Sequence, residues 1–142
     1  MKTIIYGVGK GYFDFFDIST FLERCFIDMS LEVVGFSDGN KKIWGKEIIY
    51  NGQIFTVYGI DEFQFTSIEK IIVTSKKYFD EIRKELICKG FHKDQVLLID
   101  NLYDVYIRQL FEVWKFEGKT GIEIGGATHL FSGIYEKCLS CD

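Results

Sequence analysis

The 142 residues contain no proline, only two histidines and only four cysteines. Each shortage closes off a class of protein. Without proline, and with no internal repeat or low-complexity run, no linker of the usual composition divides the chain. Long apolar stretches are missing too. Charges interrupt each run, so no segment is expected to span or insert into a bilayer. The opening residues, Met1-Lys2-Thr3-Ile4-Ile5-Tyr6-Gly7, lack a signal-peptide core and read as a strand. Positive charge is also in short supply. Seventeen Lys and Arg against 21 Asp and Glu give a net charge of −4, which argues against nucleic acid or an anionic membrane as a general partner.

The cysteines form no framework. Cys25 and Cys88 sit in apolar helical patterns and read as small buried hydrophobes. Cys138 and Cys141 make a single C-x-x-C pair, with no second pair to complete it and His129 across an expected loop. That is too few ligands for a zinc site, and no metal is expected. With no disulfides in view, the cytoplasm is the expected compartment. Catalytic constellations are equally scarce. His92 and His129 fall in expected loops without paired carboxylates, no Ser–His–acid order suggests itself, and no Tyr-x-x-x-Lys pair lies on a suitable helix. This chain by itself is expected to be non-catalytic.

What the chain does contain is an ordinary globular balance, 47% hydrophobic and 27% charged residues. Its elements alternate. Thr3 to Tyr6 is a strand that enters the glycine cluster Gly7-Val8-Gly9-Lys10-Gly11. From Ile18, apolar residues at Phe21, Leu22, Cys25, Phe26 and Met29 follow a helical period, with Thr20 and Glu23 as a capping-box pair. Leu31 to Phe36 is a second strand, ended by Ser37-Asp38-Gly39-Asn40. Asn51-Gly52 between Ile48–Tyr50 and Ile54–Val57 predicts a hairpin, because both turn residues tolerate positive φ. Gly59 to Phe63 predicts a helical turn, and Lys70 to Ser75 a buried strand. Residues 78–89 predict a helix with Phe79, Ile82, Leu86 and Ile87 inward, stopped by Gly90. Val96 to Asp100 is another strand. A last helix is expected from about Leu102 to Glu117, with Tyr106, Leu110, Val113 and Trp114 on one face and Gly118 as its stop.

Strand–helix–strand alternation with near-continuous apolar strands predicts an α/β fold, a Rossmann-like three-layer domain with a mainly parallel sheet, over residues 1–118. The tail, residues 119–142, opens on Gly121-Ile122-Glu123-Ile124-Gly125-Gly126, again a strand running into glycines. It is too short to build a second α/β domain, since one βαβ unit takes about 30 residues. It either finishes the first domain or begins a second one.

The glycine cluster is the main chemical clue. A tight turn after the first strand lets backbone N–H groups and a helix N-terminus face a phosphate, and side chains there would block the approach. Against the dinucleotide fingerprint G-x-G-x-x-G, Gly7 and Gly9 fit the first two places. Tyr12 occupies the third, and Gly11 comes one residue early. Turns without ligands also use glycine. Asp38 ends the second strand about 29 residues after Gly9, roughly where such folds place the acid that bonds a ribose hydroxyl. An acid there disfavours a 2′-phosphate and so favours NAD over NADP. It reads equally well as a turn-forming Asp beside Gly39 and Asn40. Lys10 is placed to touch a phosphate or to stay solvated. Ser75 stands at a strand's carboxyl end, where ligands gather, although Thr74 and Ser75 also suit helix caps. Phe13, Phe15 and Phe16, beside Asp14 and Asp17, read as core or interface rather than a base-stacking platform.

Two resemblances add to this reading. Ile4 to Gly11, Val34-Gly35-Phe36-Ser37-Asp38, Trp44-Gly45-Lys46 and Ile71 to Ser75 together resemble the N-terminal Rossmann-like domains of bacterial surface-polysaccharide enzymes. These include the nucleotide-sugar-binding domain of sialic-acid and bacillosamine-type acetyltransferases. The likeness spans roughly the first hundred residues and implies a small nucleotide ligand, NAD or a nucleotide sugar, held by Gly7, Gly9, Gly11 and Asp38. Gly121 to Gly126 is similar to the opening of S-adenosylmethionine-dependent methyltransferase domains. That likeness implies a methyltransferase in saccharide biosynthesis, with S-adenosylmethionine bound only where the C-terminal domain is complete. A third outcome is a Rossmann-like domain that has lost its ligand and serves association alone, for example as a homo-oligomer.

Overall fold

The computed structural model describes residues 1–9, 20–114, 120–124 and 137–141, with side chains described over 1–9 and 24–109. The chain divides into two compact units, Met1–Leu102 and Tyr103–Asp142.

The first unit is built on a six-stranded sheet. Its strands are β1 (Lys2–Tyr6), β2 (Glu32–Ser37), β3 (Glu47–Tyr50), β4 (Gln53–Tyr58), β5 (Lys70–Val73) and β6 (Val96–Leu98), in the spatial order β3-β4-β2-β1-β5-β6. Every neighbouring pair is parallel except the β3–β4 hairpin at one edge. Two helices lie between parallel strands: α1 (Thr20–Asp28) joins β1 to β2, and α2 (Phe79–Cys88) joins β5 to β6. A third, α3 (Ile99–Trp114), begins directly after β6.

This order has a functional consequence. The chain leaves β1 toward β2 on one side and later leaves β5 toward β6 on the other. Right-handed crossovers running in opposite directions put α1 and α2 on opposite faces of the sheet. The central strands show that both faces are covered. Successive side chains point to opposite faces, yet Ile4, Ile5, Ile71 and Ile72 are all fully buried. Each buried isoleucine of this kind contributes roughly 1.5–3 kcal/mol. On the face covered by α2, Ile4, Tyr6, Ile71 and Val73 pack with Leu86, Phe91 and Val96. The fold is α/β and Rossmann-like, as its alternating elements predict.

The hairpin forms where Asn51-Gly52 predicts it. Both residues have positive φ, 48° and 74°, and Ile49 pairs with Ile54 across the turn. Phe36 of β2 seats this edge, with ring centroids 5.9 Å from Tyr50 and 5.3 Å from Phe55. Helical turns appear at Ile60–Glu62, within the expected stretch, and at Lys41–Ile43, where Asn40 caps the turn by accepting from the Lys42 N–H.

Three expectations need correction. Ile87 is exposed rather than inward, and so is Cys88. With Leu86 buried, the helical advance per residue turns the next two positions toward water. Cys25, by contrast, is fully buried. The strand expected to reach Asp100 stops at Leu98, and α3 starts at Ile99 instead of Leu102. Ile99 is as buried as Val96 and Leu98 of the strand before it, so hydrophobicity alone cannot mark that boundary. Thr74 and Ser75 do not cap α2. The residue before its first turn is Tyr78, which makes no side-chain capping bond.

The second unit contains the remainder of α3 and two strands, β7 (Thr120–Ile124) and β8 (Lys137–Cys141), paired in parallel from Thr120 opposite Lys137 to Ile124 opposite Cys141. The Thr20–Glu23 side-chain pair, residues 10–19 (including Phe13, Asp14, Phe15, Phe16 and Asp17), Leu110, Val113, the Trp114 side chain, Gly118, Gly125, Gly126 and His129 lie outside the described residues. No described helix is long and apolar enough to cross a membrane.

Candidate nucleotide-binding cleft

Parallel strands deliver their C-terminal ends to one edge of the sheet. Where the chain order reverses, the loops diverge and leave a crevice. Here the reversal brings together the ends of β2, β1 and β5. The last residues of β1 are clamped from both sides. The Gly7 N–H donates to the Ser37 carbonyl at 2.8 Å, and the Thr74 N–H donates to the Tyr6 carbonyl at 3.0 Å. The Thr74 hydroxyl then donates to the Gly7 carbonyl at 2.7 Å. Gly7 itself has φ +100°, and a Cβ at that position would lie 2.6 Å from the Thr74 hydroxyl oxygen. Only glycine combines that backbone angle with so close a neighbour. Gly9 differs, since a Cβ there would meet nothing within 4 Å among the described residues.

Asp38 is tied at four points. Its N–H donates to the Tyr58 carbonyl at 3.3 Å, and its carbonyl accepts from the Trp44 indole N–H at 2.7 Å. One carboxylate oxygen accepts from the Asn40 N–H at 2.8 Å, which is the turn-forming role expected of Asp in this position. The other accepts from the Val8 N–H at 2.9 Å. The carboxylate thereby fastens the glycine turn to the end of β2. Each of its oxygens still has a lone pair to offer.

These groups line a single cleft of about 660 Å³. Gly7, Gly9, Asp38 and Ser75 all face it. Lys10 and Gly11, expected to share the site, lie outside the described residues, as does Tyr12. Ser75 accepts from the Tyr78 N–H at 3.3 Å, closing the turn that leads into α2.

The sequence reading missed part of the lining. Tyr6, Gly39 and the Glu81–Glu85 face of α2 also border the cleft. A Cβ on Gly39 would lie 2.9 Å from the Tyr6 hydroxyl oxygen, so that glycine makes room for the phenol. Burial pushes the Tyr6 phenol up to about 12, helped by the negative charges of Glu85, Asp38 and Asp61. It is therefore a neutral hydroxyl at any ordinary pH. Strand alternation could have found it, because Tyr6 follows Ile4 on the face that α2 covers.

The match to a family model spans residues 1–97 and is described as C2185-like, N-terminal. The chain belongs to the C2185-like N-terminal family. The glycine turn, Asp38, Thr74 and the acidic face of α2 all fall within the family's matched span. No curated protein matches the chain. Among solved structures, the chain is similar to RSP, a Rex-family repressor, at 20% identity and a TM-score of 0.43, covering 80% of this chain and 63% of that one. It is also similar to aspartate semialdehyde dehydrogenase II from Vibrio cholerae, at 10% identity and a TM-score of 0.39, covering 99% of this chain and 37% of that one. The chain thus spans less than two thirds of the length of either protein.

Proposed function

We propose that this member of the C2185-like N-terminal family is a nucleotide-binding module, taking a nucleotide, dinucleotide or nucleotide sugar at the C-terminal edge of its sheet. The observation that carries the reading is that Gly7, Gly9, Asp38 and Ser75 border one cleft at the point where strand order reverses. In this reading the turn at Gly7 and Gly9, continued by Lys10 and Gly11, holds phosphate through backbone N–H groups. Asp38 accepts from a ribose hydroxyl with its remaining lone pairs and disfavours a 2′-phosphate, so NAD is preferred to NADP. Ser75 closes the opposite wall.

The test is a thermal-shift titration of the chain with NAD, NADP, UDP-sugars, CDP-sugars and S-adenosylmethionine. A ligand that binds only the folded state adds about 2.7 kcal/mol at a hundredfold excess over its dissociation constant. A shift with one nucleotide class that disappears in Gly9→Val supports the module, because a Cβ at Gly9 meets nothing within 4 Å among the described residues and a side chain there stands in the cleft that the ligand would fill. No shift at millimolar concentration with any of these ligands overturns it.

The narrower reading, a role in bacterial saccharide synthesis with a nucleotide sugar as ligand, is supported by the resemblance of the N-terminal motifs. A second reading concerns residues 119–142. There Gly121-Ile122-Glu123-Ile124 lies in a strand paired in parallel with β8, the strand–connection–strand arrangement with which a methyltransferase domain would open. An S-adenosylmethionine shift lost on Glu123→Ala but kept in Gly9→Val would favour that reading.

A further inference from the structure

One peptide unit in the glycine turn is held at both ends by residues far away in sequence. The Gly7 carbonyl accepts from the Thr74 hydroxyl at 2.7 Å, and the N–H of the same unit, that of Val8, donates to the Asp38 carboxylate at 2.9 Å. Among the described residues no other group bonds either end. A peptide unit is planar, so fixing its carbonyl also fixes where its N–H points. Without those bonds the unit could turn, because Gly7, at φ +100°, carries no side chain to resist. Thr74 is well placed to prevent it. The residue is only 4% exposed and lines the cleft, and its own N–H is spent on the Tyr6 carbonyl at 3.0 Å. The hydroxyl also approaches that carbonyl, at 3.4 Å, but the shorter bond to Gly7 is the better use of its one proton.

We infer that Thr74 is a positioning residue for the ribose acceptor: its hydroxyl, acting through the Gly7–Val8 peptide, sets the Asp38 carboxylate and with it the choice of NAD over NADP. The inference rests on the nucleotide reading above, in which Asp38 meets the ribose. Donation to a carbonyl polarises the peptide and strengthens donation from its N–H, and the carboxylate at the far end makes that bond a charge-assisted one. Asp38 is thereby held in one orientation, with its unused lone pairs ready for a ribose hydroxyl and its charge set against a 2′-phosphate. The Asn40 N–H holds the other carboxylate oxygen, but that bond is exposed and water can replace it, so it restrains the side chain less. Lys77 also lines the cleft and attracts phosphate wherever it binds. It bonds to no member of this relay among the described residues, so its share is the same whichever residue stands at position 74.

The test is calorimetric titration of the full chain with NAD and NADP, which differ only in the 2′-phosphate, alongside hydrogen exchange at the Val8 amide. The parent is expected to bind NAD about tenfold or more tightly than NADP, the scale of one hydrogen bond to a charged group. Thr74→Val keeps the shape and removes the hydroxyl. The ratio is expected to fall to about threefold or less, chiefly through weaker NAD binding, with Val8 exchanging roughly tenfold faster. Thr74→Ser keeps the hydroxyl and deletes a buried methyl. It should melt at a lower temperature yet keep the parent's ratio and Val8 protection, an ordering that packing at position 74 alone would reverse. If Thr74→Val retains the ratio or the Val8 protection, or if Thr74→Ser loses them, the inference is overturned and the nucleotide reading survives. The serine arm decides alone where the valine variant does not fold. If the parent binds NAD and NADP alike, the role of Asp38 fails and the inference with it, while binding itself stands. If neither binds, both fall together.

Discussion

The Val8 amide donates to the Asp38 carboxylate at 2.9 Å, across 30 positions of chain. This bond joins the loop after β1 to the loop after β2, the two loops that would hold phosphate and ribose. A ligand that pulls on Asp38 therefore also bears on the glycine turn. The second carboxylate oxygen is held by Asn40 and the main-chain carbonyl by Trp44, so the acid arrives at the cleft already oriented.

Replacing Asp38 separates these roles by magnitude. Val8 is buried, whereas the bond to Asn40 is exposed and water can replace it. Asp38→Asn keeps one oxygen for the Val8 N–H and is expected to cost about 1 kcal/mol. Asp38→Ala leaves that N–H unpaired and is expected to cost roughly 2–3 kcal/mol. Urea unfolding of the three proteins measures both differences. Equal stability of Asp38→Ala and the parent would mean that the carboxylate does not fasten the turn.

Gly7 and Gly9 look alike in a glycine cluster but should behave oppositely. Gly7→Ala forces a side chain into a positive-φ position against the Thr74 hydroxyl, and a cost of about 1–3 kcal/mol is expected. Gly9→Ala meets nothing within 4 Å among the described residues and should change stability by no more than about 0.5 kcal/mol. Paired thermal melts decide the matter. The contrast fails if Gly9→Ala destabilises as much as Gly7→Ala.

That contrast also shows where the sequence was legible and where it was not. Local rules carried the hairpin, since Asn51-Gly52 is bound to a short-range turn, and they carried the strand–helix alternation. They also placed Gly7, Gly9, Asp38 and Ser75 at strand ends, from which a shared cleft follows once the strand order is known. What they could not show was contact between distant residues. Thr74 reads as a helix cap, but its hydroxyl is spent on Gly7, 67 positions away. Gly39 reads as part of a turn signal, yet its lack of a side chain serves Tyr6. The Ile99 boundary stayed hidden because the residue is apolar and as buried as Val96 and Leu98 of the strand before it.

The Gly39–Tyr6 approach gives a coupling that can be measured directly. A methyl group on Gly39 would sit 2.9 Å from the Tyr6 hydroxyl oxygen, tighter than ordinary contact. Gly39→Ala is expected to cost about 1–2 kcal/mol, the range for mild overpacking. In the Tyr6→Phe background the oxygen is gone, and most of that cost should go with it. A double-mutant cycle by urea unfolding is expected to give a coupling of about 1 kcal/mol. Additive costs would place the phenol away from Gly39.

Alkaline pH should act on the same tyrosine. Its ordinary value is 10.0, and burial, with Glu85, Asp38 and Asp61 nearby, raises it to about 12 in the folded chain. Between those values the unfolded chain loses the proton and the folded chain keeps it, so the folded state binds more protons and stability falls as pH rises. The contribution is complete below pH 10 and is lost on rising through about 12. A shift of that size corresponds to about 2–3 kcal/mol. Cys25 behaves in the same direction, because burial, with Asp28 nearby, lifts its thiol from 9.0 to about 12, so the parent should begin to weaken nearer pH 9. Tyr6→Phe removes only the tyrosine share. Urea midpoints measured from neutral to strongly alkaline pH should therefore decline in both proteins but less steeply in the variant above pH 10. Identical slopes would mean that the phenol ionises as readily in the folded chain as in the unfolded one, which a hydroxyl walled in by α2 and Gly39 should not do.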